Sequence, residues 1–559
     1  MFKFVVIAVC CITATKQQHP QLEIDQGVIK GSYRKTLNGR SYSSFIGIPY
    51  AKPPIGELRF KAPLPAQRWS GVLDATKEEH PVCPQFNIYI NDFNIVGNED
   101  CLFLNVYTPA TKSSETRLFP VMFYIHGGGW MTGSANLYKP NFLLDQDVVL
   151  VTCNYRLGAL GFLSTGDNVL PGNNALKDQN LALQWVNKNI AHFNGDPKSV
   201  TVFGQSAGAA SAHFHMLSSR SKNLVHRVII QSGSAIAKWA LASKPLAANT
   251  TQKLAKLLNC PYESSQNLIK CLREVPAEDM VAQDIKLHEW WYHPMIPFRP
   301  VVEEESDDAF LTDDPINIIN TNSALRIPLM IGFTTEEGAL AAPFLLNSSQ
   351  LLKDVNEDFI RVAPYLLMYH NDVVDQDEVS NKIYNLYFGG KKINRETINS
   401  FIKMLTDVWI HMAVEETVRL HTKYTEETVY YYLFGYRGTH SFTSLINNKT
   451  DDYNYGVSHS DELIYLLNFL SNNEHSSSDL KMIDIMTTLW TNFAKTNNPT
   501  PNEDKVIPLA WKPVSYNKFD SYFIQDPLTI QMVDVSSQSL KAFKEILYTA
   551  ERLNLKEEL

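Results

Sequence analysis

Chemistry is offered first by the pentapeptide Gly204-Gln205-Ser206-Ala207-Gly208. It follows the β-branched run Ser199–Phe203 and opens a helix-like stretch, Ala207 to Leu217. A serine on a tight strand-to-helix turn stands clear of its neighbours, and flanking glycines let the surrounding backbone pack closely. Ser206 is thus a candidate nucleophile; the bland alternative is an ordinary turn. A second segment, His126-Gly127-Gly128-Gly129-Trp130, follows the run Val121–Ile125. Attack on an ester carbonyl leaves charge on its oxygen, and backbone N–H groups not covered by side chains stabilise that charge. Gly128 and Gly129, with the amide of Ala207, are the candidate donors. The alternative is a flexible surface loop.

A serine hydroxyl is a weak nucleophile until an imidazole takes its proton and a carboxylate holds that imidazole in the right tautomer. The order expected around such a turn is Ser, then Asp or Glu, then His. The chain has 15 histidines, and spacing alone selects none of them.

The elements that must position these groups are short apolar runs separated by helical stretches. Pro120–Ile125, Val148–Cys153, Ser199–Phe203, Val228–Ile230, Ile327–Gly332 and Val429–Phe434 are too apolar for a half-exposed sheet. Runs of this kind suit parallel strands covered on both faces. Between them, Asp178–Phe193 has Leu181, Trp185, Val186 and Ile190 near helical spacing and Asn194-Gly195-Asp196-Pro197 as its stop. Strands alternating with helices predict an α/β fold with a large, mostly parallel central sheet. The stretch from about 340 to 425 is helix-rich, which predicts insertions over the sheet.

A length of 559 residues would allow three or four domains, but no repeat or Gly/Ser-rich linker divides the chain, so residues 16–559 are expected to form one domain. A net charge of −9 without a basic stripe argues against nucleic-acid binding. Lys3 followed by the apolar run Phe4–Ile12 and Thr13-Ala14-Thr15 predicts a secretory signal peptide over residues 1–15. The alternatives are a buried first strand or a membrane anchor. Five cysteines then remain. Joining sequence neighbours gives Cys83–Cys101 and Cys260–Cys271, two loops that an oxidising compartment would close, and leaves Cys153 as a buried thiol. No Cys/His cluster has zinc spacing, and no metal or cofactor is expected. Asn249, Asn347 and Asn448 head glycosylation sequons, and Lys556-Glu557-Glu558-Leu559 is one substitution from the retrieval address Lys-Asp-Glu-Leu. Secretion and retention in the ER lumen both stay open.

From about residue 25 to 530 the chain resembles the type-B carboxylesterase family, and within it the secreted insect esterases. The resemblance is carried by Phe45–Ala51, Glu99–Tyr107, Asn154–Gly158, Lys177-Asp178-Gln179, Gln231–Ala235 and Trp490–Lys495. It implies an α/β-hydrolase fold and a serine carboxylesterase that works through an acyl-enzyme. The family's acid segment is matched by Gly332-Phe333-Thr334-Thr335-Glu336-Glu337-Gly338, which makes Glu337 the acid and Glu336 its solvated neighbour. Gly456-Val457-Ser458-His459 matches the base segment and makes His459 the base. The resemblance also implies disulfides like the two above, Trp239 in the acyl pocket, and organophosphates or carbamates as inhibitors. Gln205 departs from the glutamate that most members place before the serine and is similar to juvenile hormone esterases. A binding protein without activity is the rival of another class; the complete triad speaks against it. A cholinesterase would carry a tryptophan between Pro84 and Asp100, where this chain has Phe86, Tyr89 and Phe93.

Overall fold

The structure is a computed structural model that describes residues 19–110, 117–446, 453–469, 474–502 and 506–557, the last seven by backbone alone. The expected signal segment, Asn448 and the side chains of the terminal tetrapeptide lie outside the described residues.

Eleven strands form the main sheet: β1 (Ser32–Lys35), β2 (Ser41–Pro49), β3 (Phe103–Pro109), β4 (Phe119–Ile125), β5 (Val149–Cys153), β6 (Gly195–Gln205), β7 (Arg227–Gln231), β8 (Leu329–Thr334), β9 (Val429–Phe434), β10 (Asp520–Asp526) and β11 (Thr529–Asp534). Their order across the sheet is β11-β10-β9-β8-β7-β6-β4-β5-β3-β2-β1. From β5 to β10 every neighbouring pair is parallel; the pairs outside this run are antiparallel. The expected α/β-hydrolase architecture is therefore present.

The apolar runs divide between two cores because successive strand residues point to opposite faces. Val121, Phe123 and Ile125 of β4 join one cluster, while Met122 and Tyr124 join the other. Leu329 and Ile331 of β8 are likewise separated from Met330. Helices α1 (Asn174–Asn189), α2 (Ala207–Leu217) and α3 (Met412–Tyr424) cover the first face. Helix α4 (Ser477–Thr496) covers the second through Met486, Leu489, Trp490 and Phe493. The helix-rich stretch is present, with helices from Ala342–Asn347 through α3.

Two expected boundaries move. Helix α1 starts at Asn174, four residues before Asp178, because Asn173 is held by a distant segment: its amide nitrogen donates to Val301 O at 2.7 Å, and Val301 N donates to its Oδ1 at 2.9 Å. The expected stop holds at Asn194, which takes the left-handed conformation at φ 60° after a tightened last turn, Ile190–Phe193. Gly195-Asp196-Pro197, read as part of that stop, instead belongs to β6, whose pairing with β4 shifts register between Asp196 and Val200.

Both disulfides form as expected, and Cys153 is a buried free thiol whose pKa burial pushes up. Arg59 ties the two loops together. Its guanidinium pairs with Glu99 inside the first loop and donates to Leu272 O and Arg273 O, at 3.1 and 3.0 Å, at the end of the helix that carries Cys271. Arg156 and Asp178, from two of the motif segments, form a buried bidentate pair at 2.8 and 2.6 Å.

Candidate active site

Ser206, the glycine loop and Glu337 follow the carboxyl ends of parallel strands β6, β4 and β8, where open α/β sheets place their ligands, and His459 comes from the long segment after β9. Ser206 follows β6 with φ 59° and ψ −124°, a conformation that L residues avoid. Its N–H donates to Gln231 O at 2.8 Å, and its carbonyl starts α2 by accepting from Ala210 N at 3.0 Å. The two glycines of the pentapeptide are sterically required. A Cβ on Gly204 would come within 2.3 Å of Gly208 O, and one on Gly208 within 2.0 Å of Ile125 O.

The glycine loop follows β4. Gly128 and Gly129 have φ of 97° and 61°, and the loop is pinned from outside: Gln85 Oε1 accepts from Thr132 Oγ1 and Gly133 N, each at 2.7 Å. His126 at its head is buried and stacks on Tyr155 at 4.3 Å; burial lowers its pKa to about 4, so it is a neutral structural ring. Among the described residues, the amides of Gly128, Gly129 and Ala207 have no hydrogen-bond acceptor.

Glu337 opens a one-turn helix after β8 and is 1% exposed. One carboxylate oxygen accepts from Thr334 N at 2.7 Å, and the other lies 2.5 Å from His459 Nδ1. An ionised carboxylate only accepts, so Nδ1 carries the proton and Nε2 presents its lone pair. That lone pair faces the Gln205 amide, with Gln205 Nε2 at 3.0 Å; no hydrogen bond joins His459 to Ser206.

Glu336 corrects the expectation of a solvated neighbour. It is half-buried, and its carboxylate accepts from Val457 N at 2.8 Å, pinning the segment that leads to His459. Two further acids escaped sequence reasoning. Asp461 accepts from Ser458 N, Ser441 Oγ and Phe442 N at 2.9, 2.8 and 2.6 Å, while burial pushes its pKa up to about 7. Glu462 is pushed up to about 8, by burial first and by the charge of Glu337 second. Both stand just after the base segment Gly456–His459, but nothing in their local pattern announces burial.

Ser206, His459, Glu337, Gly128 and Gly129 all border one cavity of about 370 Å³. Trp239, Trp409, Ile410, Leu340, Phe442 and Phe469 form its apolar wall. The indole N–H of Trp239 donates to Trp409 O at 2.7 Å, so only its ring faces the cavity. Of the aromatic residues between Pro84 and Asp100, Tyr89 borders the cavity, and Phe93 is exposed. Such an arrangement can move a proton from a hydroxyl to an imidazole while backbone amides receive a developing negative charge.

The carboxylesterase family model matches residues 18–540. The chain belongs to the carboxylesterase family. A carboxylic ester hydrolase of Bombus ignitus is 37% identical, with 92% of each chain covered. Juvenile hormone esterase of Tribolium castaneum is 35% identical over 92% of this chain and 90% of its own. Among solved structures, juvenile hormone esterase of Manduca sexta superimposes with a TM-score of 0.84 at 28% identity, covering 95% of this chain and all of that one. This esterase is thus a carboxylic ester hydrolase of the α/β-hydrolase class. No helix among its described residues is long and apolar enough to cross a membrane.

Proposed function

We propose that this esterase hydrolyses neutral, apolar carboxylic esters with Ser206 as nucleophile, His459 as base and Glu337 as acid. The convergence of these three side chains with the unpaired Gly128 and Gly129 amides on one apolar cavity carries the reading. Ser206 Oγ attacks the ester carbonyl as its proton passes to His459 Nε2, and Glu337 steadies the imidazolium through Nδ1–H. The amides of Gly128, Gly129 and Ala207 hold the oxyanion, and the start of α2 adds its positive dipole end. His459 then returns the proton to the departing alcohol, and water, activated by the same imidazole, hydrolyses the acyl-enzyme. Trp239 bounds the acyl side.

Ser206→Ala is expected to abolish turnover without loss of thermal stability, and an organophosphate to label one serine per wild-type chain. Labelling of the variant, or retained turnover, sinks the assignment.

A terpenoid hormone ester is the second reading. Gln205 before the serine, the juvenile hormone esterases among the relatives and an apolar cavity whose described lining carries no charged side chain apart from Glu337, which pairs with His459, favour it. A panel of aliphatic, aromatic and terpenoid esters separates it from general carboxylesterase action by kcat/KM. The two disulfides and the exposed sequon residues Asn249 and Asn347 fit passage through the secretory pathway. Removing Lys556–Leu559 and assaying medium against cells decides between export and retrieval. Equal export of both forms rules retrieval out.

A further inference from the structure

The acceptor nitrogen of the base is already engaged in the free enzyme. His459 Nε2, which must take the serine proton, lies 3.0 Å from the amide nitrogen of Gln205, a residue 254 positions away in sequence and 2% exposed. Only one orientation satisfies both ring nitrogens of a neutral imidazole. Nδ1–H donates to Glu337, and the Nε2 lone pair accepts from the Gln205 amide. The other end of that amide is equally confined: a Cβ on Gly127 would stand 2.8 Å from Gln205 Oε1 and 3.0 Å from Ser206 Cβ. Gln205 is thus wedged between the glycine loop, the serine and the base.

We propose that Gln205 is a positioning residue for the base: its amide holds the His459 lone pair until an occupied cavity hands that lone pair to the Ser206 hydroxyl. The inference rests on the triad reading above. A carboxamide suits the task because its N–H₂ donates to neutral Nε2 at any pH. A glutamate in the same place can only accept while ionised, so it favours the charged ring and cannot hold the neutral one. A methionine has the length and neither function. The other titratable groups around the ring keep their places in this exchange: Glu337 on Nδ1, Glu336 bonded to the Val457 amide, and buried Asp461 and Glu462 in the turn that follows.

The test uses the full chain and the second-order rate at which a small dialkyl fluorophosphate modifies Ser206, read by stoichiometric labelling. Gln205→Met removes the competitor for the lone pair and is expected to react about two- to tenfold faster than wild type near neutral pH. Gln205→Glu is expected to move the acid limb of the rate–pH profile upward by about one unit or more. A purely structural glutamine would not make the Gln205→Met enzyme faster. Rates and acid limbs that coincide with wild type overturn the proposal, and so does a slower Gln205→Met enzyme, which would mean that the amide assists the base. If one variant fails to fold, the other still decides. Labelling that persists in Ser206→Ala would instead overturn the triad reading, so the two failures are distinguishable.

Discussion

Glu337 and His459 approach to 2.5 Å inside a site where Glu337 is 1% exposed, so the carboxylate is both countercharge and tautomer lock for the ring. Glu337→Gln keeps the shape and removes the charge. It is expected to lower kcat by about 10⁴ with little change in KM, because the wrong tautomer becomes available and the imidazolium loses its partner. Retention of more than a tenth of wild-type kcat would exclude Glu337 from this role. Glu462 makes a sharper case of environment over residue type. Its carboxyl, pushed up to about 8, accepts a hydrogen bond from Gln231 Nε2 at 3.2 Å. A carboxyl pKa raised on folding stabilises the fold below the unfolded value, and that contribution is lost as pH rises through about 8. Glu462→Gln is always neutral there, so its melting temperature relative to wild type is expected to climb between pH 5 and pH 9. A constant difference across that range would contradict the assigned shift.

At the scale of elements, the site is a set of turns held in register by parts of the chain with no chemistry of their own. The loop closed by Cys83–Cys101 supplies Gln85, whose side chain pins the glycine loop, and Tyr89, which packs against Gly129 so closely that a Cβ there would lie 2.2 Å from its hydroxyl. Opening this loop therefore acts on stability and on the site together. The double variant Cys83→Ser, Cys101→Ser is expected to lose about 3 kcal/mol of stability, from the added freedom of the unfolded chain. It is also expected to lose more in kcat/KM than the matching Cys260, Cys271 pair, whose loop does not border the cavity. Equal losses in kcat/KM from the two pairs would refute the role given to the first loop.

Across the whole molecule, burial keeps histidines neutral. His126, His213, His215, His293 and His421 are each at most 1% exposed. Burial lowers His126 and His421 to about 4, lowers His215 to about 3, and holds His213 and His293 well below the ordinary range. His213 of α2 and His421 of α3 meet at 3.0 Å between their Nε2 atoms, so one neutral ring donates to the other across two helices of the same core face. For these rings the unfolded chain binds more protons, and stability falls as pH drops below about 6.5 toward the folded values. Each fully buried ring contributes about 1.4 kcal/mol per pH unit in that window, and the buried carboxyls of Asp461, Glu462, Asp284 and Asp178, all raised by burial, oppose part of it. The melting temperature is expected to fall steeply from pH 6.5 to pH 4.5, and His421→Gln to flatten that slope by about one proton. A flat profile would show that these rings are not buried and neutral.

Residue types alone settled the local geometry. Glycines at 204, 208, 128 and 129 encode close approach or positive φ, and continuous apolar runs encode strands buried on both faces, because backbone sterics and side-chain burial act within a few residues. The resemblance supplied Glu337 and His459, which spacing could not select. What remained illegible depended on which distant segments pack together. Adjacent Glu336 and Glu337 differ in role because one faces the backbone of Val457 and the other the ring of His459. Helix α1 begins at Asn174 because Val301 holds Asn173 just before it, and the cavity wall draws Trp239, Trp409 and Phe469 from separate elements. Most decisively, the Gln205 amide meets the His459 ring across 254 residues. Burial, and with it the raised pKa of Asp461 and Glu462, belongs to the packed sheet and its covering loops, so only tertiary structure could assign it.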